Sequence, residues 1–365
     1  MEKLTWLANP YSPHVRHWLE VVRVGFGSQK KVDIFHIYHS DKSIELSEYD
    51  FVNCICPIPS VMRFLPSYIQ YVYLGLYLKI KSNNETLFHA HNSSGYGLSA
   101  LLSGNIYILT TYGSEVYKAT SKPCNLIYKS LIVKILKKAK AITSSSIQMT
   151  SAIEDLSNHR NVYEFSMGIS ESFFFSETLR LQVRKKFGIP NEAIVVLSNR
   201  RITPLYNIDI ILNAFNDVVK ERGNIYLVQV EGDSDKKYVD KIINGACIKN
   251  FVFLPGFLSQ SYLNELLCAS DYTISLPNTD QLSSSIIEGL ACNSVPILSE
   301  IKAYKPLEDV SIITKIKVDS LSRRLHEILD GKHSGKASNI EGILGRYSIS
   351  NASEVYRGIL DDNFL

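Results

Sequence analysis

The chain has 365 residues, with 39 Lys and Arg against 36 Asp and Glu, for a formal net charge of +3. That length is too great for one ordinary core and fits two domains. Its 45% hydrophobic and 21% charged residues are those of a globular protein, and the near balance of charge argues against a nucleic-acid partner.

Residues Met1 to Pro10 lack a basic start followed by a long apolar run, so no secretory signal is read. No window reaches the roughly eighteen apolar residues of a membrane-spanning helix. Six scattered cysteines (Cys54, Cys56, Cys124, Cys247, Cys268, Cys292) fit free thiols in a reducing cytoplasm. A cytoplasmic protein is expected.

Strands and helices alternate along the chain. Leu4–Ala8 reads as a strand, His14–Val24 as a helix, and Lys31–Tyr38 and Phe51–Ile55 as strands. An aromatic, apolar helix follows over Pro66–Lys81, then a strand over Thr86–Ala90, a helix over Gly97–Ser103 and a strand over Ile106–Thr111. Asn125–Lys138 reads as a helix, Ala141–Ser144 as a strand, Ser146–Leu156 as a helix and Asn161–Phe165 as a strand. A polar, charged boundary is expected around Phe173–Pro190.

The same rhythm then resumes. Strands are expected at Ala193–Ser198, Ile225–Glu231, Phe251–Leu254 and Tyr272–Leu276, with Val295–Ser299 closing the sheet. Helices are expected at Ile208–Glu221, Lys236–Ala246, Ser261–Ala269 and Ser284–Cys292. Alternation of this kind predicts two α/β domains, each a parallel sheet covered by helices. The expected division is 1–175, 190–340, and a terminal helical segment over 341–365.

The most informative stretch runs from Asp280 to Pro296. Asp280 and Glu288 stand eight positions apart, with Ser283, Ser284 and Ser285 between them. The pattern is loop, helix start, then the strand Val295-Pro296-Ile297-Leu298. A helix N-terminus with free N–H groups and small side chains is a natural seat for a diphosphate. A carboxylate one turn into that helix can accept hydrogen bonds from ribose hydroxyls, and a second in the loop can hold a sugar.

This arrangement resembles the acid-x7-acid signature of retaining glycosyltransferases of GT-B fold, family 4, and Glu288-Gly289-Leu290-Ala291-Cys292-Asn293-Ser294-Val295-Pro296 fits its frame. The sequence departs from it with Gln281 and Asn293 where glycine is usual. The resemblance covers roughly residues 4 to 300 and implies two Rossmann-like domains facing a central cleft. It implies an acceptor-binding first domain and a second domain that binds a UDP- or GDP-sugar. The terminal segment would pack back on the first domain.

The same resemblance assigns candidate residues. Arg201 falls at the position of an arginine that reaches the donor diphosphate, and Tyr206 where relatives carry lysine. Arg200 and the Tyr206 hydroxyl would have to supply the missing contact. Gly232, in Glu231-Gly232-Asp233-Ser234-Asp235, lies in a turn beside the nucleotide, although the second glycine of the family turn is Ser234 here. Gly256 and Phe257 follow the next strand, where backbone groups read the base. Asp233-x-Asp235 as a metal-binding acid pair is set aside, and no metal or other cofactor is expected.

In the first half, His89-Ala90-His91 ends a strand, and His91 is expected near the donor sugar and diphosphate. The two histidines are read as pointing to opposite faces of that strand, which argues against a metal pair. Gly113, Ser114 and Glu115 resemble a family segment at the acceptor, and Asn9 and Tyr11 occupy the first loop beside it. Val15-Arg16-His17-Trp18 is similar to a helix of relatives.

Together these imply a hexosyltransferase (EC 2.4) that transfers sugar with retention through Asp280, His91 and Arg201, in surface polysaccharide assembly such as O-antigen or capsule. Residues 126–138 interleave Lys129, Lys134 and Lys137 with leucines and isoleucines, and a basic amphipathic helix can lie on an anionic membrane that presents a lipid-linked acceptor. Two alternatives share the fold: a nucleotide-sugar 2-epimerase, and a degenerate non-catalytic subunit.

Overall fold

The structure, a computed structural model, describes residues 3–38, 46, 49–83, 86–121, 123–232, 234–244, 249–280, 282–332 and 340–364. It divides into two compact units, Met1–Gly168 with Ile349–Leu365, and Ile169–Ser348.

The first unit is a seven-stranded sheet. Its elements are β1 (Lys3–Leu7), α1 (Pro13–Phe26), β2 (Lys31–Phe35), β3 (Val52–Ile55), α2 (Ser67–Lys81), β4 (Phe88–His91), α3 (Gly95–Ser103), β5 (Tyr107–Thr110), α4 (Ser114–Thr120), α5 (Leu126–Lys138), β6 (Ala141–Ser144), α6 (Ile147–Ser157) and β7 (Val162–Glu164). The strand order is β3-β2-β1-β4-β5-β6-β7, and every pairing is parallel. Such sheets are covered on both faces, which is why β4, β5 and β6 are buried at every position.

One face packs α1 and the helix over Ile349–Phe364 around Trp6, Trp18 and Tyr356, and the other packs α2, α3, α5 and α6 around Leu74, Ala100, Ile135 and Ile153. The terminal helix approaches α1 closely. A Cβ on Gly25 would lie 2.8 Å from Ser353 Cβ, so the contact requires glycine there.

His89 and His91 share one face of β4, with ring centroids 4.3 Å apart. This corrects the opposite-face reading. Side chains alternate with a period of two, so residues i and i+2 point the same way. Among the described residues, no three His, Cys, Asp or Glu side chains are placed so that they could hold a metal ion. His89 is locked by Tyr356 Oη at 3.0 Å and Thr110 Oγ1 at 2.7 Å, and burial drives its pKa down to about 3.

The second unit contains α7 (Glu177–Lys186), β8 (Ile194–Ser198), α8 (Ile208–Glu221), β9 (Ile225–Val230), α9 (Lys236–Ile243), β10 (Phe251–Leu254), α10 (Gln260–Ala269), β11 (Tyr272–Ser275), α11 (Ser284–Ala291), β12 (Val295–Ser299), β13 (Ile312–Thr314), α12 (Val318–Leu329) and α13 (Ile340–Arg346). Its six parallel strands run β10-β9-β8-β11-β12-β13. The terminal segment divides: α13 belongs to this unit and the last helix, α14 (Ile349–Phe364), to the first.

Two expectations about elements change, and a third falls beyond what the structure describes. β12 does not close the sheet, because β13 pairs with it through Ile297–Ile312 and Leu298–Ile313. The expected end of α9, at Ala246, lies outside the described residues. The charged stretch read as a boundary forms α7, capped by Ser176 Oγ on the Leu179 amide.

Helix α7 is held by Arg184, which is fully buried. Its guanidinium donates to the carbonyls of Ala269 at 3.0 Å, Asn191 at 2.7 Å and Ala193 at 2.8 Å, and to Asp271 Oδ2 at 2.8 Å. Asp271 in turn accepts from Arg180 at 2.6 Å and the Val195 amide at 2.8 Å. A buried charge is tolerated when its donors are all placed, and removing one partner strands the rest. Arg184→Met is expected to lower the unfolding free energy by about 3 kcal/mol in urea denaturation. A loss under about 1 kcal/mol would show that the network adds nothing beyond packing.

Candidate active site

The carboxyl ends of β8 and β11 deliver the residues of the second unit's site. Ser198 ends β8, Asn199 follows, and Arg200 turns inward at 9% exposure while Arg201 is exposed. Gln229 pins that turn by donating from Nε2 to the Arg200 carbonyl at 3.1 Å. The loop after β11 brings Asp280 to the Arg200 guanidinium, and α11 starts immediately beyond at Ser284.

Arg200 is the centre of the cluster. Its Nη1 donates to Ser283 Oγ and, at 3.0 Å, to Ser285 Oγ. Its Nη2 donates to Asp280 Oδ2 at 2.5 Å and to Tyr206 Oη at 2.8 Å. The guanidinium carbon also lies 4.2 Å from the centroid of the Tyr206 ring. Ser283 and Ser285 are themselves 2.9 Å apart. The structure therefore places Arg200, rather than Arg201, against the start of α11. The physical reason is alternation after β8: the adjacent side chain points outward and packs beside Gly232.

Tyr206 and Asn207 have separate tasks. Tyr206 is buried under Arg200, while Asn207 takes a left-handed φ of 51° at the start of α8 and donates from Nδ2 to the Leu276 carbonyl at 2.7 Å. Asn293 likewise adopts φ 61°, a left-handed conformation that glycine and asparagine take more readily than other residues.

Glu288, one turn into α11, is 8% exposed. Burial raises its pKa from 4.5 to about 7, against weaker opposing effects of a hydrogen bond with Ser284 and the charge of Arg200. Tyr304 is a participant that sequence reading missed. It is buried, donates to Asp280 Oδ2 at 2.9 Å and lies 3.3 Å from Ser275 Oγ. No pattern in residues 300–340 marked it.

Gly232 and Gly256 form a paired turn. The Gly232 amide donates to the Gly256 carbonyl at 3.1 Å, and the Gly256 amide donates to Glu231 Oε2 at 2.6 Å. Both glycines have positive φ, 67° and 77°. Ser234 ties the same turn to the loop after β8 by accepting from the Ile202 amide at 2.9 Å. Phe257 presents an open ring, 86% exposed. Asp235 caps α9 through the Tyr238 amide at 2.9 Å, which gives it a structural task; Asp233 lies outside the described residues.

In the first unit, His91 is buried. Its Nδ1 faces Tyr112 Oη at 3.0 Å, and its Nε2 has no hydrogen-bond partner. Burial, with His89 and His14 nearby, holds its pKa well below 6.5, so it is neutral. Gly113 has φ 99° before α4. Glu115 is buried, and its carboxylate accepts from the Ser93 amide at 3.0 Å and Ser114 Oγ at 2.9 Å. Those bonds join the loop after β4 to α4. Asn9 Oδ1 accepts from the Tyr11 amide at 3.0 Å, and the Tyr11 ring meets Tyr38 edge-on at 6.2 Å.

Residues 180–338 match the family model "Glycosyl transferases group 1", and residues 3–146 match "Glycosyl transferase 4-like". The chain is a GT-B glycosyltransferase. A comparison with curated proteins finds no match.

Among solved structures, HepE from Anabaena in complex with UDP and glucose superposes with a TM-score of 0.77 at 14% identity, covering 99% of this chain and 100% of that one. Sucrose-phosphate synthase from Thermosynechococcus elongatus gives 0.76 at 14%, covering 99% and 100%. A glycosyltransferase from Rickettsia africae ESF-5 gives 0.77 at 15%, covering 99% of each. At these identities the likeness carries the fold.

The Glu288 environment predicts a pH dependence in this glycosyltransferase. The unfolded carboxyl loses its proton near 4.5 and the folded one near 7, so the native state is destabilised as pH rises through that window. Glu288→Gln removes this titration. The stability of the variant relative to wild type should therefore rise by about 3 kcal/mol between about pH 4 and about pH 8 in urea denaturation. A difference that does not change with pH would contradict the assignment.

Proposed function

We propose that the enzyme transfers a hexose from a UDP- or GDP-sugar to an acceptor hydroxyl with retention at the anomeric carbon. The observation that carries this reading is the cluster of Arg200, Asp280, Ser283, Ser285 and Tyr206 at the N-terminus of α11. Arg200 and the first amides of α11 receive the diphosphate, where fixed donors stabilise the charge that develops as it leaves. Ser284 frames the same seat. Glu288 holds the ribose, Gly232 and Gly256 line the nucleotide, and Phe257 offers its ring to the base.

Asp280 orients the donor sugar. In the step itself, the bond from the anomeric carbon to the diphosphate oxygen breaks and one to the acceptor oxygen forms on the same face. The acceptor proton passes to the departing phosphate oxygen. No metal enters this scheme. His91, being neutral, serves a sugar hydroxyl as a hydrogen-bonding group rather than as a cation. Asn9, Tyr11, Gly113 and Ser114 are assigned to the acceptor, with Glu115 fixing their loop from within.

The acceptor is read as a lipid-linked glycan of surface polysaccharide assembly, met at the inner face of the cytoplasmic membrane. HepE, of the same fold, is seen with UDP and glucose, which favours UDP as the first nucleotide to try. The intact Arg200 cluster and the accommodated Asn293 speak against a degenerate subunit.

The test is a thermal-shift screen across nucleoside diphosphates, followed by donor turnover with and without acceptor extracts. Stabilisation by one base class is expected through linkage between binding and folding. Isomerised sugar from donor alone would favour the epimerase instead. Arg200→Ala should abolish the nucleotide shift and lower turnover about 100-fold or more, whereas Arg201→Ala should stay within about threefold. The reverse ranking would return the diphosphate contact to Arg201.

A further inference from the structure

Helix α2 carries large apolar residues on its outward side as well as on its buried one. Leu74, Gly75 and Leu78 face the core, and Gln70, its buried polar residue, donates to the Leu65 carbonyl at 2.8 Å. The opposite side is not covered. Tyr68, Leu76 and Ile80 are exposed there, Ile80 at 80%, eight and four residues apart along the outward side of the helix. The turn before α2 continues the strip with exposed Val61 and with Phe64, at 90%. A helix with large apolar residues on both sides belongs in a core or in lipid. At 15 residues α2 is too short to span a bilayer, which takes about 20.

The charge around this strip has one sign. Arg63 stands at its start and Lys79 and Lys81 at its end, and residues 51–84 contain no Asp or Glu. Helix α5 covers the same sheet face as α2. Its interleaved Ile132, Ile135 and Leu136 are buried in the core, so these apolar residues face inward and not toward a membrane surface. Its exposed lysines remain, in a stretch, residues 116–153, with seven Lys and no acid. Its first turn exposes Leu126 and Ile127.

We propose that the first unit rests on an anionic lipid bilayer through the outward face of α2 and residues 61–64, with the α5 lysines as an electrostatic flank. The apolar strip enters the interface between headgroup and acyl chain, and the flanking cations meet lipid phosphates. A symmetric pairing of two copies would set this patch on itself and oppose like charges, which disfavours a self-interface. The inference rests on the membrane-side acceptor proposed above for its purpose, but not for its observations.

The experiment is co-sedimentation of the full chain with phosphatidylcholine vesicles, with and without phosphatidylglycerol. Binding to the anionic vesicles alone, weakened by salt, is expected. The double variant Phe64→Ser/Ile80→Ser should weaken it about tenfold or more. Lys134→Gln/Lys137→Gln/Lys138→Gln should weaken it in low salt and matter little in high salt.

Each variant is also checked for its melting temperature and for its UDP- or GDP-induced thermal shift. Both should match wild type, which separates failure here from failure of the donor assignment. The proposal is overturned if wild type ignores anionic vesicles, or if the double variant binds them as well as wild type. It is equally overturned if light scattering shows a dimer or partner complex that the same substitutions disrupt without any lipid binding.

Discussion

A single guanidinium organises the second unit's site. Arg200 reaches across from the end of β8 to the loop after β11 and to the first turn of α11, and it touches Asp280, Tyr206, Ser283 and Ser285 there. Burying that cation is costly unless its donors are placed. Tyr206 answers with a hydroxyl and a ring face and Asp280 with a carboxylate, while Tyr304 holds Asp280 from behind and Gln229 holds the carbonyl of Arg200 itself. The consequence is a helix start whose position relative to a positive charge is set by the fold. An anionic leaving group needs this, because donors that must reorganise during reaction stabilise little.

The first unit uses a different device. Its centre is aromatic: Trp18 stacks on Phe165 at 4.4 Å and meets His89, His91 and Tyr356 edge-on. His89 is spent on holding α14 through Tyr356, whereas His91, two residues on and on the same face, keeps one ring nitrogen without a protein partner. One histidine has both ring nitrogens taken and its neighbour only one, although both lie on the same face of β4. Glu115 behaves like His89, since its two oxygens are taken by Ser93 and Ser114.

Much of this was legible in the sequence. The alternation of apolar runs with amphipathic stretches located nearly every strand, and Ala141–Ser144, Phe251–Leu254 and Val295–Ser299 agree to the residue. Misses arose where composition misled. Helix α7 is dense in Arg and Lys and read as a boundary, because the burial of Arg184 depends on carbonyls and Asp271 that only the tertiary structure brings near. β13 and α12 fell in a stretch with no motif. Which of the adjacent Arg200 and Arg201 meets the start of α11 turns on which way the chain leaves β8, and the structure turns Arg200 to Ser283 and Ser285 while Arg201 lies beside Gly232. Tyr304 lies 24 residues from Asp280 and could not be linked to it by spacing.

The account stands on the claim that the start of α11, gripped by Arg200, is where the diphosphate sits. Hydrogen exchange of backbone amides, with and without saturating UDP or GDP, addresses that claim most directly. Slowed exchange is predicted for residues 283–288 together with 200–206. Unchanged exchange there, with protection arising elsewhere in the chain on binding of the same nucleotide, would contradict it.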